Sequence, residues 1–221
     1  MANTWADVAD RLDGIYSGAP SFAGNLPIIL LCWQGTGSDM WNTIPPQPAS
    51  VATVVAQAFP EILHFQPVGN YPAATYPMGP SVADGYNEGI RLATQVYPNN
   101  LLLPFGYSQG AICASHFLRD FIMPNNLLNR VVGGITFGNP CRSPGVANGN
   151  AWAGWPMPGE IDGVVTGGIA GPDCLTAAQT PTWWLDFVNT TTSDKGASEL
   201  YGNCPVGTDP WTAEAAPGKV G

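Results

Sequence analysis

A serine is a weak nucleophile until the chain exposes its hydroxyl and something nearby can take its proton. One stretch of this chain offers the first condition: Gly106-Tyr107-Ser108-Gln109-Gly110. It follows an apolar run, Leu101 to Phe105, and precedes apolar residues at helical spacing: Ala111, Ile112, Phe117, Leu118, Phe121 and Ile122. Strand, Gly-x-Ser-x-Gly and helix in that order predict a nucleophile elbow, whose chemistry is acyl transfer through a covalent serine intermediate. The flanking glycines then have a steric role. The turn strains the serine backbone and brings the helix against the strand, so a Cβ at either flank would clash. The main-chain N–H of Gln109, at the helix N-terminus, is left free to donate to an oxyanion.

A second oxyanion donor is expected from another loop. Gln34-Gly35-Thr36-Gly37-Ser38 follows the apolar run Pro27 to Trp33 and lacks the Lys-Ser/Thr ending of a phosphate-binding loop. Thr36, Gly37 and Ser38 are therefore read as oxyanion-side residues. The acid of such a site comes after a later strand. Glu199 and Asp186 both fit that place, and Asp162, Asp173 and Asp194 fit it less well. The histidine is the difficulty. Only His64 and His116 occur. His116 is eight residues beyond Ser108 on the same predicted helix, about 12 Å along its axis. His64 precedes the serine on a different predicted strand. Both read as ordinary strand and helix residues, so no general base is visible. With so few imidazoles and no clustered ligands, neither a metal site nor a cofactor is expected.

The elements around these residues alternate. Residues 5–17 pattern as an amphipathic helix, Pro27 to Trp33 as a strand buried on both faces, and Pro48 to Phe59 as a helix carrying Val51, Val54, Val55, Ala58 and Phe59. Ile62 to Val68 is a second strand, and Ser81 is read as the cap of a helix reaching about Tyr97. Strands follow at Val131–Phe137 and Trp183–Val188, separated by a loop-rich stretch over 141–182. This spacing predicts one α/β domain over residues 1–221, with a doubly wound, mostly parallel sheet and helices on both faces.

Composition narrows the partners. Hydrophobic residues make up 45% of the chain and charged residues only 10%, so a full core is available under a loop-rich surface. Seven basic residues and a net charge of −9 leave no face able to neutralise phosphates, which excludes nucleic acid. The first residues show no basic-then-apolar signal peptide, and the run Ile28 to Trp33 is too short to span a bilayer. Cys32 and Cys113 are read as buried small hydrophobes, and a Cys174–Cys204 pair is open to either reading.

Four ordered motifs resemble the lysin B esterases of mycobacteriophages. They are Phe65 to Met78 with Pro80-Ser81-Val82; Gly106 to Ala111; Phe137-Gly138-Asn139-Pro140 with Arg142 and Gly145; and Cys174-Leu175 with Thr180-Pro181 and Trp183-Trp184. The resemblance implies a cutinase-like α/β-hydrolase that cuts the ester joining mycolic acids to arabinogalactan in the mycobacterial envelope. It implies a lipid-ester partner and no cofactor. The family's acid lies in a Gly-Asp-x-Tyr motif, matched here by Ser198-Glu199-Leu200-Tyr201, so the resemblance makes Glu199 the acid and Asp186 the fallback. The family's histidine lies far downstream, after a helical segment, and has no counterpart here. The resemblance thus implies an esterase lacking the part that carries its base. The alternative is a catalytically incomplete domain serving among the virion proteins of a phage as a structural or envelope-binding component.

Overall fold

The computed structural model describes residues 28–44, 47–190 and 201–207. The predicted helix over 5–17, Asp194 and Glu199 lie outside the described residues. Five strands form the central sheet: β1 (Ile28–Trp33), β2 (Leu63–Pro67), β3 (Leu102–Tyr107), β4 (Gly134–Phe137) and β7 (Trp184–Phe187). They are all parallel, in the order β2-β1-β3-β4-β7. Helices α1 (Pro48–Ala58), α2 (Met78–Arg91), α3 (Gln109–His116) and the short α4 (Asn148–Ala153) pack on it. α2 and α3 each run on into a π-helical turn, Leu92–Val96 and Phe117–Ile122. This is the α/β, doubly wound parallel sheet that the sequence predicts.

Register sorts the side chains into two faces, since successive residues of a strand point to opposite sides. Ile29, Leu31 and Trp33 of β1 and Leu102 of β3 join Val82 of α2 and Ile112, Cys113 and Ala114 of α3 in the larger core. Leu30, Cys32 and Phe105 point the other way and meet Ala52 of α1. Cys32 and Cys113 are fully buried.

Several local readings differ from the sequence pattern. In α1 the buried residues are Pro48, Ala49 and Ala52, while Val51 and Val54 face outward. Small side chains let this helix lie close to the sheet, a preference that counting apolar residues misses. Ser81 is not a cap. It sits inside α2, and its hydroxyl donates to Gln109 Oε1 at 2.8 Å while accepting from the Ala74 N–H at 3.0 Å. The loop-rich stretch contains a small antiparallel sheet of β5 (Glu160–Ile161), β6 (Val164–Gly167) and β8 (Cys204–Pro205). Its hairpin turns on Asp162 and Gly163, at φ +54° and +77°. An Asp-Gly pair between apolar residues is a hairpin signal, and it was present in the sequence. All five cysteines are free thiols, so Cys174 and Cys204 are not paired.

Close approach of backbone explains two glycines at the centre of the fold. A Cβ on Gly110 would stand 2.1 Å from Trp33 O, and one on Gly106 would stand 2.5 Å from Gly110 O. Both obstacles are main chain and cannot swing aside. Gly110→Ala should therefore lower stability by about 2–3 kcal/mol or more, because β1 and α3 must be pushed apart. Gly79→Ala, where an added Cβ meets nothing within 4 Å, should change it by less than about 1 kcal/mol. Urea unfolding of the two variants checks this, and equal losses would contradict it.

Candidate active site

Ser108 lies between the C-terminal end of β3 and the first residue of α3, at φ +51° and ψ −119°. A non-glycine residue rarely holds a positive φ, because its Cβ crowds the backbone. Here the conformation is held from both sides. The Ser108 N–H donates to Phe137 O of β4 at 3.0 Å, and the Ser108 carbonyl accepts from the N–H groups of Ala111 and Ile112. The result is a half-buried serine at the C-terminal end of the central strand and the N-terminus of a helix. A hydroxyl so placed is accessible to a carbonyl carbon, and the helix end favours negative charge beside it.

The loop after β1 reaches the same place through the Gln109 side chain, which is buried. Gln109 Oε1 accepts from Tyr71 OH at 3.0 Å and from Ser81 Oγ; its Nε2 donates to Ala74 O at 2.9 Å and to Thr36 Oγ1 at 3.3 Å. One amide thus ties together the 34–38 loop, the 70–77 loop, α2 and α3. With its side chain satisfied inward, Gln109 leaves its main-chain N–H at the first turn of α3. The three candidate loop donors then separate. The Gly37 N–H donates to Ala73 O at 2.8 Å and the Ser38 N–H to Gly35 O at 3.2 Å. Ser38 Oγ accepts from Gln47 at 2.6 Å and from Asn42 at 3.2 Å. Of the three, Thr36 is exposed, and its N–H donates to no main-chain oxygen among the described residues.

The other predicted residues fall elsewhere. Asp186 is fully buried on the α3 face of the sheet. Its Oδ1 accepts from Thr136 and, at 2.8 Å, from Asn139, whose amide exchanges hydrogen bonds with Ser115 of α3. The structure therefore joins Asp186 to Ser115, two turns down the helix from Ser108. Its Oδ2 has no hydrogen-bond partner among the described residues. Tyr201, the last residue of the stretch that carries Glu199, is held by Ile169, whose N–H donates to its carbonyl at 2.9 Å. Asp162 sits at the β5–β6 turn. His64 is an exposed edge-strand residue with its ring 6.0 Å from that of Tyr97. His116 Nε2 lies 2.7 Å from Asp173 Oδ2. Each histidine is thus placed away from the elbow.

Burial pushes the Asp186 carboxyl above its ordinary value of 3.8, with the Thr136 and Asn139 hydrogen bonds pulling the other way. An acid whose folded value is raised keeps its proton longer in the folded chain. Its contribution therefore favours folding at acid pH and declines as pH climbs from the ordinary value through the folded one. Asp186→Asn removes this decline. Across urea midpoints measured from about pH 4 to 7, the stability difference should move in favour of Asp186→Asn as pH rises. Movement in favour of the native chain would mean that the buried carboxylate is stabilised as an anion.

The cutinase family profile covers residues 36–166, more than half of the chain, including Thr36, Ser108 and Gln109. Over 116 residues the chain is 38% identical to endolysin B of Mycobacterium phage D29 and 37% identical to that of Mycobacterium phage L5. Each match takes in 49% of this chain and 44% of the relative, so less than half of those proteins' length is covered. The crystal structure of lysin B from Mycobacteriophage D29 is similar with a TM-score of 0.60 at 29% identity, over 82% of this chain and 68% of that one. A cutinase-like protein from Cryptococcus sp. shares the fold, with a TM-score of 0.51 at 22% identity over 72% and 74% of the two chains. The chain belongs to the cutinase family and is a cutinase-like relative of the lysin B proteins of mycobacteriophages.

Proposed function

We propose that the chain carries the nucleophile half of a lysin B-type serine esterase, directed at lipid esters of the mycobacterial envelope such as a mycolyl ester of arabinogalactan. The observation that carries this reading is Ser108 at φ +51° between two glycines that no other residue could replace. In this reading Ser108 Oγ attacks the ester carbonyl. The charge that develops on its oxygen is met by the main-chain N–H groups of Gln109 and Thr36, which are already oriented when the substrate arrives. An apolar rim supports a lipid substrate. Trp41 and Ile44 follow Thr36 on one loop, Tyr76 follows Ala74 on the other, Met78 opens α2, and all four are exposed.

The acid in this reading is Glu199, with Asp186 as fallback, and the base is an imidazole that neither His64 nor His116 supplies from its observed place. That placement also favours a second reading, a binding component of a phage particle that keeps the elbow without the reaction. The two readings differ in what an added base does.

Loss of a triad histidine costs on the order of 10⁶ in kcat, while oxyanion donors and binding leave about 10³–10⁴ over water. A polypeptide of these 221 residues should therefore hydrolyse p-nitrophenyl esters only marginally faster than its Ser108→Ala variant. Free imidazole, or a second phage polypeptide, should enlarge the part of the rate that depends on Ser108. If the two proteins stay indistinguishable under every base supplied, the esterase reading fails and the binding reading stands. Fast turnover without added base, lost in Ser108→Ala, would show that a histidine of the chain is recruited; His64→Ala and His116→Ala would identify it.

A further inference from the structure

A second group of reactive side chains lies at the far end of α3 from Ser108. His116, from the last turn of α3, Cys141, from the loop after β4, and Asp173, from the 3₁₀ turn Gly171–Asp173, each bring one donor atom, and the three atoms lie within 4.8 Å of one another. They are scattered in sequence, His116 and Asp173 being 57 positions apart, so no spacing motif announces them. We propose that these three residues form a binding site for a zinc-class divalent cation, with a fourth position left to water.

Three features of the site go beyond a chance meeting of polar residues. The first is its dimensions. Around tetrahedral zinc, donor atoms at the usual bond lengths stand roughly 3.3–3.8 Å apart, so the three groups need shift by only about 1 Å or less. One imidazole, one thiolate and one carboxylate suit zinc or cobalt better than magnesium or calcium, which prefer oxygen donors alone.

The second is the support behind the donors. Arg119 Nη1 holds Asp173 by its Oδ1 at 3.0 Å and by its main-chain oxygen at 2.6 Å, leaving Oδ2 directed at His116. Such an outer hydrogen bond is how ligating carboxylates are normally oriented. The guanidinium does not oppose a cation with its full charge, because Asp120 grips it through two 2.7 Å hydrogen bonds. Cys141 is fixed on both sides: its N–H donates to Asn139 Oδ1 at 2.9 Å, and its carbonyl accepts from Leu175 N–H at 2.8 Å.

The third is access. Cys141 is fully buried, whereas the Asp173 side chain is 47% exposed, so the cation enters from the Asp173 side. Binding replaces the His116–Asp173 hydrogen bond with two bonds to the metal; the imidazole then carries its proton on Nδ1 instead of Nε2, and the Cys141 thiol releases its proton to solvent as its sulfur becomes a ligand. Cys174 is adjacent to Asp173 in sequence, but its sulfur is turned to Gly168 O at 3.2 Å and Pro140 O at 3.5 Å. A bound cation would pin the end of α3 to the loops that support β4 and β6, at the opposite end of the helix from the elbow.

The test is a cobalt titration of the intact chain after dialysis against a chelator. One equivalent should produce a thiolate-to-cobalt charge-transfer band with the visible intensity of four-coordinate cobalt. Zinc should bleach both, and zinc should also raise the thermal midpoint. Cys141→Ser should remove the charge-transfer band. Because a buried substitution can disturb folding, His116→Ala and Asp173→Asn serve as second variants on the open side, each weakening cobalt at least about tenfold. Cys174→Ser should leave the spectrum unchanged. No band, or a band that survives Cys141→Ser, or one lost instead in Cys174→Ser, overturns the proposal.

Discussion

The constraint on which the elbow depends is the contact between the start of α3 and the ends of β1 and β3. No Cβ fits at Gly110, which lies against Trp33 O, or at Gly106, which lies against Gly110 itself. With both flanks forced together, the single residue that reverses direction between them has to take a positive φ, and that residue is Ser108. Strain of this kind costs of order 1–3 kcal/mol and persists only where the surroundings over-determine it. Here β4 does so through Phe137 O, and the first turn of α3 does so through the Ser108 carbonyl. The half-buried serine at this turn is thus a consequence of how tightly a helix can be packed against a parallel sheet.

The same closeness places Gln109 inside the molecule, where its amide meets Tyr71, Ser81, Ala74 and Thr36. A buried amide has to be satisfied, and this one is satisfied by groups from the 34–38 loop, the 70–77 loop and α2. The loops beside Ser108 are therefore held together through one side chain. A second buried hub does the equivalent for the small sheet. Arg142, with no exposed surface, donates to Gly202 O, Val146 O and Thr166 Oγ1, and so ties residues 201–203 to β6.

Local order was readable in the sequence because it rests on local chemistry. The strand at Ile28 to Trp33 is continuous apolar residues buried on both faces, and the elbow is two glycines around a serine. Long-range pairing was not readable. Ser81 looks like a cap because serine caps helices, and nothing nearby in sequence says that its hydroxyl is needed by Gln109. Val51 and Val54 look like a core stripe, but the close helix-to-sheet distance selected Ala49 and Ala52. Asp186 reads as an acid on the right strand, yet register places it beside Thr136 and under α3. The grouping of His116, Cys141 and Asp173 comes from three separate segments and exists only after folding. Asp162-Gly163 was the one missed element whose signal lay in plain sight.

The chemistry turns on Ser108 and on where an oxygen would sit beside it. The most direct measurement is a crystal structure of the chain after prolonged exposure to excess long-chain alkyl phosphonate, a tetrahedral mimic of ester attack. The expected result is phosphorus bonded to Ser108 Oγ, with the phosphoryl oxygen about 2.7–3.1 Å from both the Thr36 and Gln109 main-chain nitrogens. Its alkyl chain should lie along Trp41, Ile44, Tyr76 and Met78. An unmodified Ser108, or an adduct whose oxygen meets neither nitrogen, would contradict it.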